Sequence, residues 1–231
     1  MLKNDIFKIP KSIEKRTFRL QNSVTLINNE LKSILNSDNW NRKSFIFNYY
    51  RGMRELLTSS ILGNIFCGYL GDASNQNWWN LCTNIKDDDE KIQNYHNYDT
   101  YLKVSLIILS FSITETYYRD CFRMALKCDE EIKSYELYKK LRKQLEIAKK
   151  EKQENRFALH RLVRNCFHNG GHHFKKNDSV NYNNTNYCFV NGKSPQDITW
   201  DLVIDIIDDT TKDCSDFFDS KFILDNERGQ R

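Results

Sequence analysis

The chain has 231 residues, of which 39% are hydrophobic, 13% aromatic and 29% charged, with 8 Gly, 2 Pro and a net charge of +4. That balance excludes a disordered tail, a collagen-like chain and a loop-rich secreted scaffold, and the scarcity of proline favours long uninterrupted helices. The most apolar stretch, 104–113, is about half the length of a membrane span and is interrupted by serines. Residues 1–16 lack the apolar centre of a signal peptide, and the 7 cysteines are scattered with no C-x-x-C pair. These features predict a cytoplasmic protein with no membrane association and no disulfide framework.

Helical periodicity dominates in chain order. Leu20, Val24, Ile27, Leu31 and Ile34 form a first stripe, and Ile46, Tyr49, Met53, Leu56 and Leu57 a second that fades over 63–71. A polar, acidic excursion at about 72–97 carries Trp78 and Trp79. Leu102, Leu106, Leu109, Ile113 and Tyr117 mark a third helix, Tyr138, Leu141, Leu145 and Ala148 a fourth, and residues from about 154 to 169 the next. A hairpin or irregular loop is expected at about 170–193, with Asn191-Gly192 as a turn pair. Ser194-Pro195-Gln196-Asp197 then reads as an N-cap before a last helix that buries Leu202, Val203, Ile206, Ile207, Thr210, Cys214 and Phe217. The expected fold is a single all-α domain over 1–231, an antiparallel bundle of about four or five helices with an insertion before the last.

The modest net charge conceals two opposed tracts. Between positions 133 and 164 eleven Lys and Arg stand against four Glu, an excess of +7; between 197 and 219 eight Asp stand against Lys212, an excess of −7. The basic tract suits a polyanion such as RNA, whereas two wet helix faces of opposite sign suit mutual neutralisation. Both readings stand at this point.

One segment carries chemistry. Residues 159–174 read LHRLVRNCFHNGGHHF. At about 100° per residue, Arg161, Arg164, Asn165 and His168 share an arc of about 100°, while Leu159, Leu162, Val163 and Cys166 occupy the opposite side. Gly170 and Gly171 follow as a helix terminator, which places His168 in the last turn. There the helix dipole favours the imidazolium and the neighbouring arginines oppose it, a competition suited to proton transfer near neutral pH. His160 falls beside this arc as boundary polar surface. His172 and His173 match no closed metal-ligand spacing with Cys166 or His168, so no metal or other cofactor is expected. The sequence also has no Gly-rich phosphate loop, no nucleophile elbow and no H-E-x-x-H.

The order Arg161-x6-His168, with the pairs Arg164-Asn165 and His168-Asn169, resembles the motif of the HEPN (higher eukaryotes and prokaryotes nucleotide-binding) superfamily. That motif sets an Arg, then four to six intervening residues, then a His, commonly as R-N-x-x-x-H-N. Here the interval from Arg164 to His168 is contracted to three residues, and Arg161, at the full interval, is followed by Leu162. Either arginine can therefore fill the family's role. The resemblance implies a metal-independent endoribonuclease whose homodimer assembles a composite cleft and cleaves RNA by 2′-OH attack, leaving a 2′,3′-cyclic phosphate. It implies proton transfer by His168, transition-state stabilisation by Arg164 and Arg161, and orientation by Asn165. Glu115 would hold an arginine from an earlier helix, and Asn169 would flank the site. It also implies a toxin or antiphage defence setting, with an antitoxin or defence protein as partner. The alternative is a catalytically silent HEPN-like module that dimerises and binds RNA or a nucleotide.

Overall fold

The computed structural model describes residues 10–36, 44–72, 75–127, 132–148 and 150–218. Residues 1–9 of the N-terminal stretch, Lys149 and Asp219 lie outside the described residues. The elements in order are α1 (Lys11–Asn36), α2 (Phe45–Leu70), α3 (Gln76–Cys82), α4 (Asp88–Leu126), α5 (Ser134–Gln144) and α6 (Glu151–His168), then β1 (Asp178–Tyr182), β2 (Thr185–Phe189) and α7 (Trp200–Phe218). The fold is all-α with one small hairpin before the last helix. The long α4 is its spine: it packs on α2, α5, α6 and α7, while α1 lies against α2 and α7. Among the described residues no helix is long and apolar enough to cross a membrane.

The apolar stripes of α1, α2 and α7 bury much as their spacing requires. Leu20, Ile27, Leu31 and Ile34 of α1, Ile46, Tyr49, Met53 and Leu57 of α2, and Leu202, Val203, Ile206, Ile207, Cys214 and Phe217 of α7 all reach the core. The stripe of α4 is rotated. Leu109 is 49% exposed, and the buried edge runs through Leu106, Ile107, Ser110, Phe111, Thr114, Tyr117 and Tyr118. Covered by four other helices, α4 buries more than one narrow stripe.

Three boundaries differ from the sequence expectation. The excursion at 72–97 is shorter, because its acidic run opens a helix. Asp87 is the N-cap of α4, accepting from the Glu90 N–H at 2.9 Å, and Asp88, Asp89 and Glu90 fill the first turn. There the dipole stabilises carboxylates. Ala148 lies beyond α5, where its carbonyl accepts a bond from Arg142. Ser194-Pro195 does not start α7. Asp197 takes a left-handed φ of 61°, and Thr199 caps the helix instead, its Oγ1 accepting from the Leu202 N–H at 3.1 Å.

The hairpin pairs Val180 with Tyr187 and closes on Asn183-Asn184, whose φ of 49° and 62° suit a two-residue turn of the primed type. Tyr182 donates to Asp209 Oδ2 at 2.8 Å, which fixes the hairpin to α7.

The acidic tract meets cations of both α1 and the basic tract in the packing. Arg19 on α1 bonds Asp201 at 2.6 Å and Asp205 at 2.5 Å, Lys150 pairs with Asp216 at 3.0 Å, and Lys152 with Asp209 at 3.2 Å. At the centre, the fully buried Asp213 carboxylate receives Arg142 at 3.1 Å, the Tyr138 hydroxyl at 2.9 Å, the Tyr118 hydroxyl at 3.3 Å, and Arg156. Burial alone would lower the Arg156 pKa; the adjacent Asp213 carboxylate overrides this and raises it, so the guanidinium stays charged in the core. This network rivets α6 and α5 to α7 through the N-terminal half of α6. Its C-terminal half projects the site.

Candidate functional site

Helix α6 presents two kinds of surface. Phe157, Leu159, Leu162, Val163 and Cys166 are buried, whereas His168 is exposed and Arg161, Arg164 and Asn165 are half-buried. The four polar groups that the helical spacing places on one arc do share one face. The helix ends as its glycines require: Gly170 and Gly171 take φ of 69° and 88°, and the Gly171 N–H returns to the Cys166 carbonyl at 2.9 Å, the long bond of a Schellman motif. This stop makes His168 the final helical residue and leaves its imidazole in open space.

The two guanidiniums are held differently from those in the core. Arg164 Nη1 donates to Asn165 Oδ1 at 3.0 Å, and its Cζ lies 5.6 Å from the ring centroid of Phe111 on α4. Arg161 lies 5.4 Å from the Tyr135 ring on α5. Among the described residues neither has a carboxylate within ion-pair distance. An aromatic face attracts a cation through its quadrupole yet cancels none of its charge. Both guanidiniums therefore retain their charge for an incoming anion.

The remaining site candidates fall elsewhere. Glu115 does not hold Arg161 or Arg164: its Oε1 accepts from Arg119 at 2.6 Å and from the Ser134 hydroxyl at 2.7 Å, tying α4 to α5. The i,i+4 spacing of Glu115 and Arg119 makes that partner the nearer one. Asn169 is the C-cap of α6, exposed, with its N–H bonded to the Asn165 and Cys166 carbonyls.

His160 is not boundary surface but core. It is 0% exposed, with Nε2 at 3.2 Å from both the Ile107 carbonyl and Ser110 Oγ, and Phe111 packs edge-on against its ring. Burial lowers its pKa to about 3, against the opposing effect of the Ile107 hydrogen bond, so the ring is neutral. Nε2 therefore carries the proton it donates to Ile107.

His173 is also buried, its Nε2 at 2.8 Å from the Lys176 carbonyl and its Nδ1 at 3.9 Å from Cys166 Sγ. Burial pushes the Cys166 thiol up to about 11, so it is neither thiolate nucleophile nor ready ligand. Among the described residues no group of three His, Cys, Asp or Glu is placed to hold a metal ion. Tyr117 and Tyr118 are core residues, each held by α7 through its hydroxyl, and offer no stacking face to a base.

Sequence reasoning missed Phe111 and Tyr135, whose rings lie against the arginines from other helices. No spacing within α6 could reveal them. Compared with protein-family models, curated proteins and solved structures, the chain matches none.

Proposed function

We propose that this chain is a metal-independent endoribonuclease of HEPN type, acting as a homodimer on RNA. One observation carries the reading: an exposed imidazole, His168, ends α6 on the same face as two guanidiniums that no carboxylate of the described residues neutralises.

The chemistry needs a base, an acid and donors to developing charge. One neutral His168 takes the proton of the RNA 2′-OH as its oxygen attacks the adjacent phosphorus. The P–O5′ bond breaks, and a protonated His168 from the second subunit gives a proton to the departing 5′-oxygen. The products are a 2′,3′-cyclic phosphate and a 5′-hydroxyl. Arg164 and Arg161 stabilise the equatorial oxygens through forked hydrogen bonds. Asn165 orients Arg164 through the 3.0 Å bond between them. The face is open in a single chain, so a second copy is what would enclose the phosphate. A toxin or antiphage role, restrained by an antitoxin or defence protein, fits an RNA-cutting site.

A silent RNA-binding or dimerisation module is the second reading, favoured by the three-residue interval between Arg164 and His168. The separating experiment is product analysis on a single-stranded RNA with EDTA present. Cleavage that leaves cyclic phosphate ends and spares a 2′-deoxy position supports the enzyme. Binding without cleavage supports the module.

A further inference from the structure

Tyr135 lies in the first turn of α5 and serves two cations at once. Arg161 Cζ of α6 is 5.4 Å from its ring centroid, and Lys139 Nζ of α5 is 4.5 Å from the same centroid. On the other side of Arg161 in sequence, Arg164 rests against Phe111 at 5.6 Å. Three cations from two helices are thus gathered on two rings. The contrast is with Arg142 and Arg156, which share the Asp213 carboxylate in the core.

We propose that Tyr135 extends the α6 face into a cation tract, Arg164–Arg161–Lys139, that binds RNA phosphates flanking the one being cut. This inference rests on the RNA-directed reading of the same face. Like charges brought together repel, and a ring beneath them offsets part of that cost while leaving the charge unspent. Lys139 also sits 3.1 Å from Glu136, but both side chains are solvent-exposed. Such a pair contributes little and exchanges readily for a phosphate. From His168 to Arg161 the helix rises about 10 Å, so the tract is longer than one phosphate and calls for a strand. Tyr135 is a positioning residue here, because it acts through the cations it holds.

The test is equilibrium binding of the full chain to a fluorescent single-stranded 2′-O-methyl RNA, which lacks the attacking hydroxyl, over a series of salt concentrations. Lys139→Gln should weaken binding about three- to five-fold at low salt and lower the log–log salt slope by about 0.7, the signature of one lost phosphate contact. Tyr135→Leu should weaken it by a similar factor, whereas Tyr135→Phe, which keeps the ring, should stay within about two-fold of the parent. A purely structural role for the ring would move the melting temperature and leave the salt slope alone. Should Tyr135→Leu fail to fold, the exposed Lys139→Gln and its slope decide the matter. A parent that binds RNA while Lys139→Gln keeps its affinity and slope overturns the tract alone, and a folded Tyr135→Leu matching the parent overturns the platform. A parent that binds no RNA overturns both the tract and the function from which it extends.

Discussion

Asn165 accepts a hydrogen bond from Arg164 Nη1 at 3.0 Å, so two side chains adjacent in sequence are tied together on the solvent side of α6. The bond uses one of five guanidinium hydrogens; Nε is buried without a partner, so a phosphate would be met through the terminal Nη hydrogens. Asn165→Ala should therefore reduce RNA cleavage about tenfold, from lost orientation worth about 1.4 kcal/mol. Asn165→Asp should be the more damaging change, because a carboxylate would neutralise Arg164 instead of steering it. Initial rates on one RNA substrate compare the two, and equal rates for Asn165→Asp and the parent would remove Asn165 from the site.

Asp213 sits where α5, α6 and α7 converge, taking bonds from Arg142, Arg156, Tyr118 and Tyr138. Asp213→Asn leaves two guanidiniums in the core facing a neutral amide. A broken buried pair costs about 3–5 kcal/mol, which in a chain of this size lowers Tm by roughly 10 °C. Thermal unfolding followed by circular dichroism measures it. A shift of a degree or two would mean that water, not Asp213, satisfies these arginines.

His160 makes stability depend on pH. Its folded pKa is held down to about 3 by burial, against about 6.5 when unfolded. Between these values the unfolded chain binds the extra proton, so stability is full above about 6.5 and falls as pH drops toward 3. From pH 7 to pH 5 the loss assigned to His160 is about 2 kcal/mol. Urea titrations at the two values should show it, and His160→Gln should flatten the difference. The pKa of Asp201, Asp209 and Asp216 is lowered by their cationic and hydrogen-bonding partners. Burial raises those of Asp120 and Asp208, which oppose the His160 effect as pH falls.

Cysteine reactivity reports on the packing of α6. Cys82 and Cys188 are exposed, while Cys67, Cys121, Cys166 and Cys214 are buried. Burial raises the thiols of Cys166 and Cys214 to about 11 and about 12. Brief treatment of the native protein with iodoacetamide near neutral pH should modify Cys82 and Cys188 and spare those four. Peptide mapping that finds Cys166 modified as fast as Cys82 would place the wrong face of α6 inward.

The arrangement of α6 was legible in the sequence because amphipathicity is local. The turn angle alone separates Arg161, Arg164, Asn165 and His168 from Leu159, Leu162, Val163 and Cys166. The final helix was legible for the same reason. What escaped depended on other elements. His160 lies at the edge of the wheel and becomes core only because Ser110 and Phe111 of α4 close over it. The acidic run at 87–90 looks like loop until it is seen as a cap and first turn, where carboxylates stabilise a helix. The start of α7 was displaced by the left-handed turn at Asp197, a conformation that a Ser-Pro pair does not announce. Phe111 and Tyr135 reach their arginines from α4 and α5, and only tertiary packing shows them.

The most direct measurement is cleavage of a 5′-labelled RNA by the purified chain in EDTA, wild type against His168→Ala, with fragment ends identified by mass spectrometry. His168 is exposed on α6, so its loss should leave folding intact. The account requires cutting by the wild type with 2′,3′-cyclic phosphate ends, and a loss of at least about 100-fold in the variant, the usual scale of proton-transfer catalysis. Equal cutting by both proteins, or no cutting by either, contradicts it.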